Sequence, residues 1–467
     1  MSQHILFLSH EFPPDGGGAG VNLALLCEAL QKKGVSITTW VGQSSTESKE
    51  MASQVGGSLS PKSLNNQFVV TTKRSKRFQT SSLVHFQFIW GALRLARKTS
   101  LKPDWIIGNM ALPGGIAAVL VSRILGAPIA IWHHGSDVHG GFAQGAKLWQ
   151  RYLLRFLWAR SQVNFFVAPS LMALASTYGE ITRPRILPSL LDPVFAEKAL
   201  DMNSTPNGVG CGAQHQSEAD PPMLKTTLEN KLEGNIKVTQ GYFLILGRLE
   251  PVKNPLLAIE AYALYLQGYP TKNSVTEKNN SLPLGLRIVG DGSLREVIKQ
   301  KIVSKGLTKH VTLESPIPRN EVIDLLSGAC ALLMPSKAEG MSLTVIEAAA
   351  LGVPCIAAAS LGLVDLIQGN FEQATTSQNE LNQNQSRANK SQPIGMLFNQ
   401  NDVNAFSDCL TLISSKSGLR QTLSQNAKQS MLRYTPDASA SIMLDCLNQT
   451  ATVGSAAHRQ NEKMLSI

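Results

Sequence analysis

The sequence has no apolar run long enough to span a bilayer. Its best candidate, residues 110–132, is broken by Pro113, Gly114, Gly115, Arg123, Gly126 and Pro128. The segment Met1–Ser9 is too short and too uncharged at its start for a secretory signal. No CxxC occurs among Cys27, Cys211, Cys330, Cys355, Cys409 and Cys446, which sit mostly among apolar neighbours, so reduced core thiols are expected. Together these absences predict a cytoplasmic protein. No G-x-G-x-x-G follows the first predicted strand, and no acidic ribose ligand closes the next one, which disfavours a dinucleotide oxidoreductase. No recognised nucleic-acid motif occurs, and the basic residues are not interleaved with stacking aromatics. D-x-D, a common metal-bridging pattern, is absent.

Negative charge is scarce in the first part of the chain. Residues 1–195 carry 19 Lys and Arg against 9 Asp and Glu, whereas residues 196–467 carry 24 of each. The whole net charge of +10 therefore falls in the N-terminal part. Such an asymmetry points to an anionic partner on that side, and an anionic membrane surface fits better than nucleic acid. Lys73, Arg74, Lys76 and Arg77 form one basic run. Lys147, Arg151 and Arg155 recur every four residues, with Trp149, Leu153, Phe156 and Leu157 largely on other faces. This predicts an amphipathic basic helix; an ordinary surface helix packing its apolar stripe on its own domain stays open beside membrane attachment. His133, His134, Asp137 and His139 have a metal-like composition, but no other part of the chain supplies a second shell, so hydrogen-bonded loop histidines are the preferred reading of His133 and His139.

The chain is organised around residues 335–359, PSKAEGMSLTVIEAAALGVPCIAAA. The apolar run 331–334 predicts a buried strand, 336–341 a polar loop, 343–351 a helix capped by Ser342 or Thr344, and 353–358 a second buried strand. A helix N-terminus offers unpaired N–H groups and a positive dipole end, which suit a phosphate. Glu339 and Glu347 stand eight positions apart on either side of it, and a carboxylate pairs well with sugar or ribose hydroxyls. Upstream, the strand 242–246 is followed by Gly247, Arg248 and, five positions on, Lys253, two cations placed to neutralise a diphosphate. Near the N-terminus, the strand HILFLS leads into EFPPDGGGAG and a helix, so backbone can approach a polar ligand closely.

Two glutamates eight apart in EG-x-x-L-x-x-x-E, followed by A-x-G-x-P, resemble the donor-site motif of retaining GT-B glycosyltransferases, most closely glycosyltransferase family 4 (glycosyl transferases group 1). The H-G-S-D segment at 134–137 resembles that family's HG-x-D signature, and GRL-x-x-x-K at 247–253 its cationic motif. The resemblance covers residues 4–195 and 240–447. It implies an α/β chain of GT-B architecture: two Rossmann-like domains facing a cleft. The N-terminal domain would span 1–195, a linker or insertion 196–240 and the nucleotide-sugar domain 241–433. A helix at 434–450 would cross back to the first domain, ahead of a flexible tail at 451–467.

The resemblance further implies a retaining hexosyltransferase acting on a nucleotide diphosphate sugar, UDP- or GDP-linked, as co-substrate. The acceptor would be a glycan or lipid-linked molecule in cell-envelope polysaccharide or glycolipid synthesis. Arg248 and Lys253 would hold the diphosphate, with the backbone of Met341, Ser342 and Leu343. Glu347 would hold the ribose, Glu339 the sugar hydroxyls, and His134 would meet the sugar from across the cleft. Gly17 and Gly18 would line the cleft, as would the turn at Gly290 and Gly292; Pro316 and Ile317 would pass the base. With no D-x-D, no metal cofactor is expected. A GT-B nucleotide-sugar epimerase and a non-catalytic GT-B partner protein remain the alternative readings.

Overall fold

A computed structural model of the chain describes residues 3–13, 17–44, 67–72, 81–140, 146–204, 241–268, 283–369 and 392–465. The serine-rich stretch 44–66, the basic run 73–77, most of the expected linker and the Gln/Asn-rich stretch 370–393 lie largely outside them.

Seven parallel strands form the first sheet: β1 (His4–Ser9), β2 (Ser36–Ser44), β3 (Gln67–Thr72), β4 (Trp105–Asn109), β5 (Ile129–His133), β6 (Val163–Phe166) and β7 (Pro184–Ile186). Their order is β3-β2-β1-β4-β5-β6-β7. Six more form the second: β8 (Tyr242–Leu246), β9 (Gly285–Val289), β10 (Val311–Glu314), β11 (Ala329–Met334), β12 (Cys355–Ala358) and β13 (Gly395–Phe398), in the order β10-β9-β8-β11-β12-β13. Strands β4, β5, β11 and β12 are buried along their whole length, which is why they read as continuous apolar runs without alternation. Chain direction across the sheet reverses between β1 and β4, and again between β8 and β11. In open α/β sheets such reversals leave a crevice beyond the strand C-termini where ligands bind. This is the GT-B architecture.

The facing sides of the two sheets share one core. One continuous apolar cluster runs from β1 and the helix Gly18–Lys32 through Leu187 and Leu191 to Met341, Val345 and Met443. Removing such side chains from water stabilises by roughly 1.5–3 kcal/mol each, so the domains are held together by the same force that folds them. A second cluster lies on the far side of β8 and β11. Polar bonds add direction to the contact. The Ser189 N–H donates to Met341 Sδ at 3.1 Å, and Asn22, within the first domain, holds Ser189 by donating to its Oγ at 3.0 Å. The helix Pro169–Ser176 of the first domain meets the helix Leu363–Gln368 of the second. Ser170 N–H donates to Asp365 Oδ2 at 2.8 Å, and the Gly362 N–H donates to Ser170 Oγ at 2.9 Å.

The C-terminal helix packs on the helix Gly18–Lys32, with Lys33 and Asp437 paired at 2.9 Å, so it does return to the first domain. It runs Pro436–Leu465, past the end expected near 450 and through most of the expected tail; the Ala-rich sequence there contains no proline to stop it. The linker also starts later than 196, because the helix Pro193–Ser204 occupies its beginning. Among the cysteines, Cys27, Cys355, Cys409 and Cys446 are free, whereas Cys330 is disulfide-bonded, contrary to the expectation of reduced thiols throughout; its partner lies outside the described residues, and no short Cys spacing signals the bond. No helix among the described residues is long and apolar enough to cross a membrane.

Candidate functional site

On the first-domain side, β5 ends in a buried histidine. Trp158 Nε1–H donates to His133 Nε2 at 3.2 Å, which leaves His133 Nδ1–H to face Asp137 Oδ2 at 2.7 Å. Asp137 also accepts from the Ala111 N–H at 2.9 Å and from the Gly135 N–H at 3.1 Å. Burial works against its charge, but His133 and the Ala111 N–H outweigh it and hold the carboxyl well below the usual range. The aspartate of the HG-x-D segment therefore organises the loop. His134 projects beside Trp132, ring centroids 4.3 Å apart, with Nε2 2.7 Å from Asn109 Oδ1. Burial pushes this imidazole down to about 4, against the opposing pull of Asp137, so it is neutral at neutral pH. Asn109, at the end of β4, donates to Ser9 Oγ at the end of β1 and to the Ala19 carbonyl. One amide thus joins both strands of the switch point, the glycine loop and His134.

On the second-domain side, the loop after β8 and the loop after β11 are tied by a Lys337 N–H bond to the Val252 carbonyl at 2.8 Å. Lys253 forms an ion pair with Glu339. Arg248 is exposed, with no side-chain partner among the described residues. Ser342 is the N-cap residue of the helix Leu343–Ala350, as expected, but its hydroxyl makes no capping bond. Among the described residues the N–H groups of Met341, Ser342 and Leu343 donate to no acceptor. They are open to an anion. Gly290 and Gly292 have φ of +152° and +157°. A Cβ on either would lie 1.9 Å from the Gly247 carbonyl oxygen or 2.6 Å from that of Leu249. These glycines let the turn press against the Gly247–Leu249 backbone and so fix the base of Arg248.

The two sides meet. A Cβ on Gly340 would fall 1.8 Å from the His134 carbonyl oxygen, and one on Gly135 would fall 2.5 Å from the Gly340 Cα. A Cβ on Gly18 would be 3.2 Å from Leu343 Cδ1. The structure therefore brings together His134, Lys253, Glu339, the N-terminus of the helix at Leu343 and the glycine loop at Gly17 and Gly18. Such a set can hold an anion against cations and backbone N–H groups, and present a carboxylate to hydroxyls beside it.

Glu347 is placed differently from a free ribose ligand. It is buried, and its Oε1 accepts from Arg319 at 2.5 Å. Burial raises its carboxyl, with Arg319 opposing. Arg319 also reaches Asp192 at 3.3 Å and lies over the Phe195 ring at 4.8 Å. Pro316 is exposed and Ile317 packs on the shared core, both in the loop leading to Arg319. Sequence reasoning missed Asn109, Arg319 and Asp192, and it had Gly135 and Gly340 as motif glycines without their mutual contact. Of the missed residues Asn109 alone left a signal, a polar residue ending a buried strand at the same sheet edge as His134.

A family model described as Glycosyltransferase Family 4 matches residues 16–193, and one described as Glycosyl transferases group 1 matches residues 227–430. The UDP-Gal:alpha-D-GlcNAc-diphosphoundecaprenol alpha-1,3-galactosyltransferase of Escherichia coli is 25% identical over 320 residues, 68% of each chain. The D-inositol 3-phosphate glycosyltransferase of Streptomyces coelicolor is 31% identical over 121 residues, 26% of each chain. Sucrose-phosphate synthase from Thermosynechococcus elongatus has a similar structure, with a TM-score of 0.68 at 16% identity, covering 97% of this chain and 100% of that one. Anabaena HepE in complex with UDP and glucose gives 0.62 at 15% identity, covering 96% and 100%.

Proposed function

The chain belongs to glycosyltransferase family 4 and is a GT-B glycosyltransferase; from that premise we propose that it is a retaining enzyme using a UDP- or GDP-linked sugar. The acceptor is a glycan or lipid-linked molecule of cell-envelope synthesis. One observation carries this reading: Lys253 and Glu339 are paired beside uncapped N–H groups at the helix N-terminus, against the His134 loop.

The diphosphate lies between Arg248, Lys253 and the N–H groups of Met341, Ser342 and Leu343. Binding draws Lys253 toward the phosphate and frees Glu339 for sugar hydroxyls. His134, neutral and held by Asn109, bounds the sugar from the first domain. Glu347 reaches the ribose while Arg319 balances its charge. In the transfer step the bond from the anomeric carbon to the phosphate oxygen breaks. The acceptor oxygen bonds to that carbon on the same face, and its proton passes to the departing phosphate. Negative charge grows on the diphosphate, where fixed cations and N–H dipoles stabilise it more than water would.

The E. coli relative is by name a UDP-Gal-dependent enzyme with a diphosphoundecaprenol acceptor, which supports a lipid-linked acceptor here. The basic N-terminal domain supports attachment to an anionic membrane surface, at the cytoplasmic face. A screen of radiolabelled nucleotide sugars, with cell membranes as the acceptor source, tests the reading. Label should move to a lipid or glycan fraction. Release of an isomerised nucleotide sugar with no acceptor labelled would instead indicate an epimerase, and no turnover of any donor a non-catalytic protein.

Metal independence follows from the same arrangement, since Arg248 and Lys253 occupy the role that D-x-D and its cation would fill. Transfer should proceed at full rate in excess EDTA. Loss of activity on chelation, restored by magnesium or manganese, would overturn this assignment of the donor site.

A further inference from the structure

The helix Leu148–Trp158 buries only part of its apolar set and leaves the rest in solvent. Arg151 turns back onto the domain, and Arg155, though exposed, is tied to it through one nitrogen. Arg151 Nε–H donates to the Ala146 carbonyl at 2.8 Å with the guanidinium 4.7 Å over the Tyr178 ring, and Arg155 Nε–H donates to the Tyr178 carbonyl. Leu154, Leu157 and Trp158 are buried, while Leu148, Trp149, Tyr152 and Phe156 point to solvent. The helix Ser81–Lys98 repeats this with Phe86 and Trp90. All six outward side chains are between 40% and 72% exposed. Exposed rings on one helix at i, i+3 and i+7 need an explanation that scattered surface apolar residues do not.

The two helices share a face of the sheet. The connections β3 to β4, β4 to β5 and β5 to β6 all run in one direction along the strand order, and right-handed crossovers then put their helices on one side. The C-terminal helix packs on the helix Gly18–Lys32, which belongs to the oppositely directed β1-to-β2 connection and so to the other side. Cations stand next to the exposed rings: Arg160 lies 3.8 Å over Phe156 and Arg94 lies 5.5 Å over Trp90. Residues 81–162 contain nine Lys and Arg against two acids, one of them the buried-loop Asp137.

We infer that this face is a bilayer-docking surface, in which Trp149, Tyr152, Phe156, Phe86 and Trp90 enter the interfacial layer of an anionic membrane while adjacent arginines meet lipid phosphates. This deepens, and rests on, the membrane attachment read above: the aromatic residues, and not the Lys147–Arg155 stripe, carry the apolar part of the contact. Tryptophan and tyrosine flanked by cations suit the boundary between headgroups and acyl chains, where a ring is half in oil and a cation keeps its hydration. A second copy of the chain is a poor occupant, because it would set one basic face against another.

The tryptophans provide the test. Trp90 and Trp149 are exposed, whereas Trp40, Trp105, Trp132 and Trp158 are buried. Vesicles of phosphatidylcholine and phosphatidylglycerol with brominated acyl chains should therefore quench only the first two. Quenching is expected with the full-length protein, and it should persist at a salt concentration that screens surface charge. The double change Trp90→Ser and Trp149→Ser should remove it. Trp149→Ser with Tyr152→Ser should weaken vesicle binding about tenfold or more, with thermal stability and transfer to a soluble acceptor unchanged. Salt-reversible binding without quenching would overturn the inference and leave electrostatic attachment standing. No vesicle binding, or a solution dimer that buries this face, would overturn both. None of these outcomes bears on donor chemistry, which the transfer assay reads separately.

Discussion

Arg248→Ala should lower turnover about a hundredfold, which corresponds to about 3 kcal/mol of lost transition-state stabilisation. The structure makes this a clean substitution. Arg248 is exposed and, among the described residues, its side chain bonds nothing, so truncation should leave the fold intact. Its backbone is held by Gly290 and Gly292 pressing on the Gly247–Leu249 segment, so the base of the side chain is positioned before any ligand arrives. Lys253→Ala should cost a similar factor in rate, but also some stability, because Glu339 then loses its partner. The informative measurement is kcat for each variant and for the pair together, with unfolding followed alongside. A double variant turning over like the parent would mean that these cations do not stabilise the leaving group.

Gly340→Ala is expected to cost at least as much, by another route. The added methyl would sit 1.8 Å from the His134 carbonyl oxygen, with the backbone of Gly135 close behind it. Neither neighbour is a flexible side-chain end, so the loops must part by an ångström or more. A displacement of about 1 Å at a reaction centre is worth on the order of a hundredfold in rate. The nucleotide-binding groups proposed above all belong to the second domain, so affinity for the free nucleoside diphosphate should change little. Turnover and calorimetric nucleotide binding should therefore separate in this variant. Parent-like turnover would show that the close approach of the two loops is not required.

Local elements were largely legible in the sequence, because they rest on local causes. The strands β1 and β8 fall at their predicted residues, since an apolar run ending in a glycine or a turn leaves few alternatives. The glycine loop, the His134 segment, the Arg248 motif and Glu339 were each visible as chemistry. Their pairings were not. Lys253 and Glu339 are 86 positions apart, and nothing local says that this cation and this carboxylate neutralise each other. Glu347 looked free for the same reason: Arg319 and Asp192 arrive from other segments. The helix Leu148–Trp158 was legible in part: Leu153 and Leu157 pack inward as an apolar stripe should, but periodicity does not say that Trp149 and Phe156 stay in solvent. Tyr178 helps set that rotation, since its ring and carbonyl engage Arg151 and Arg155 from a distant segment.

The contact between Ser170 and Asp365 has a consequence for motion. The helix Pro169–Ser176 begins with a free backbone N–H, and the carboxylate that satisfies it comes from the other domain. Any separation of the two domains would take the acceptor away from that amide. Its hydrogen exchange should therefore track the fraction of time the enzyme spends open, rather than local fraying of the helix. Saturating nucleotide sugar should slow exchange at Ser170 and leave the solvent-facing end of the same helix unaffected. Exchange at Ser170 that ignores ligand would mean that the two domains stay in contact throughout the catalytic cycle.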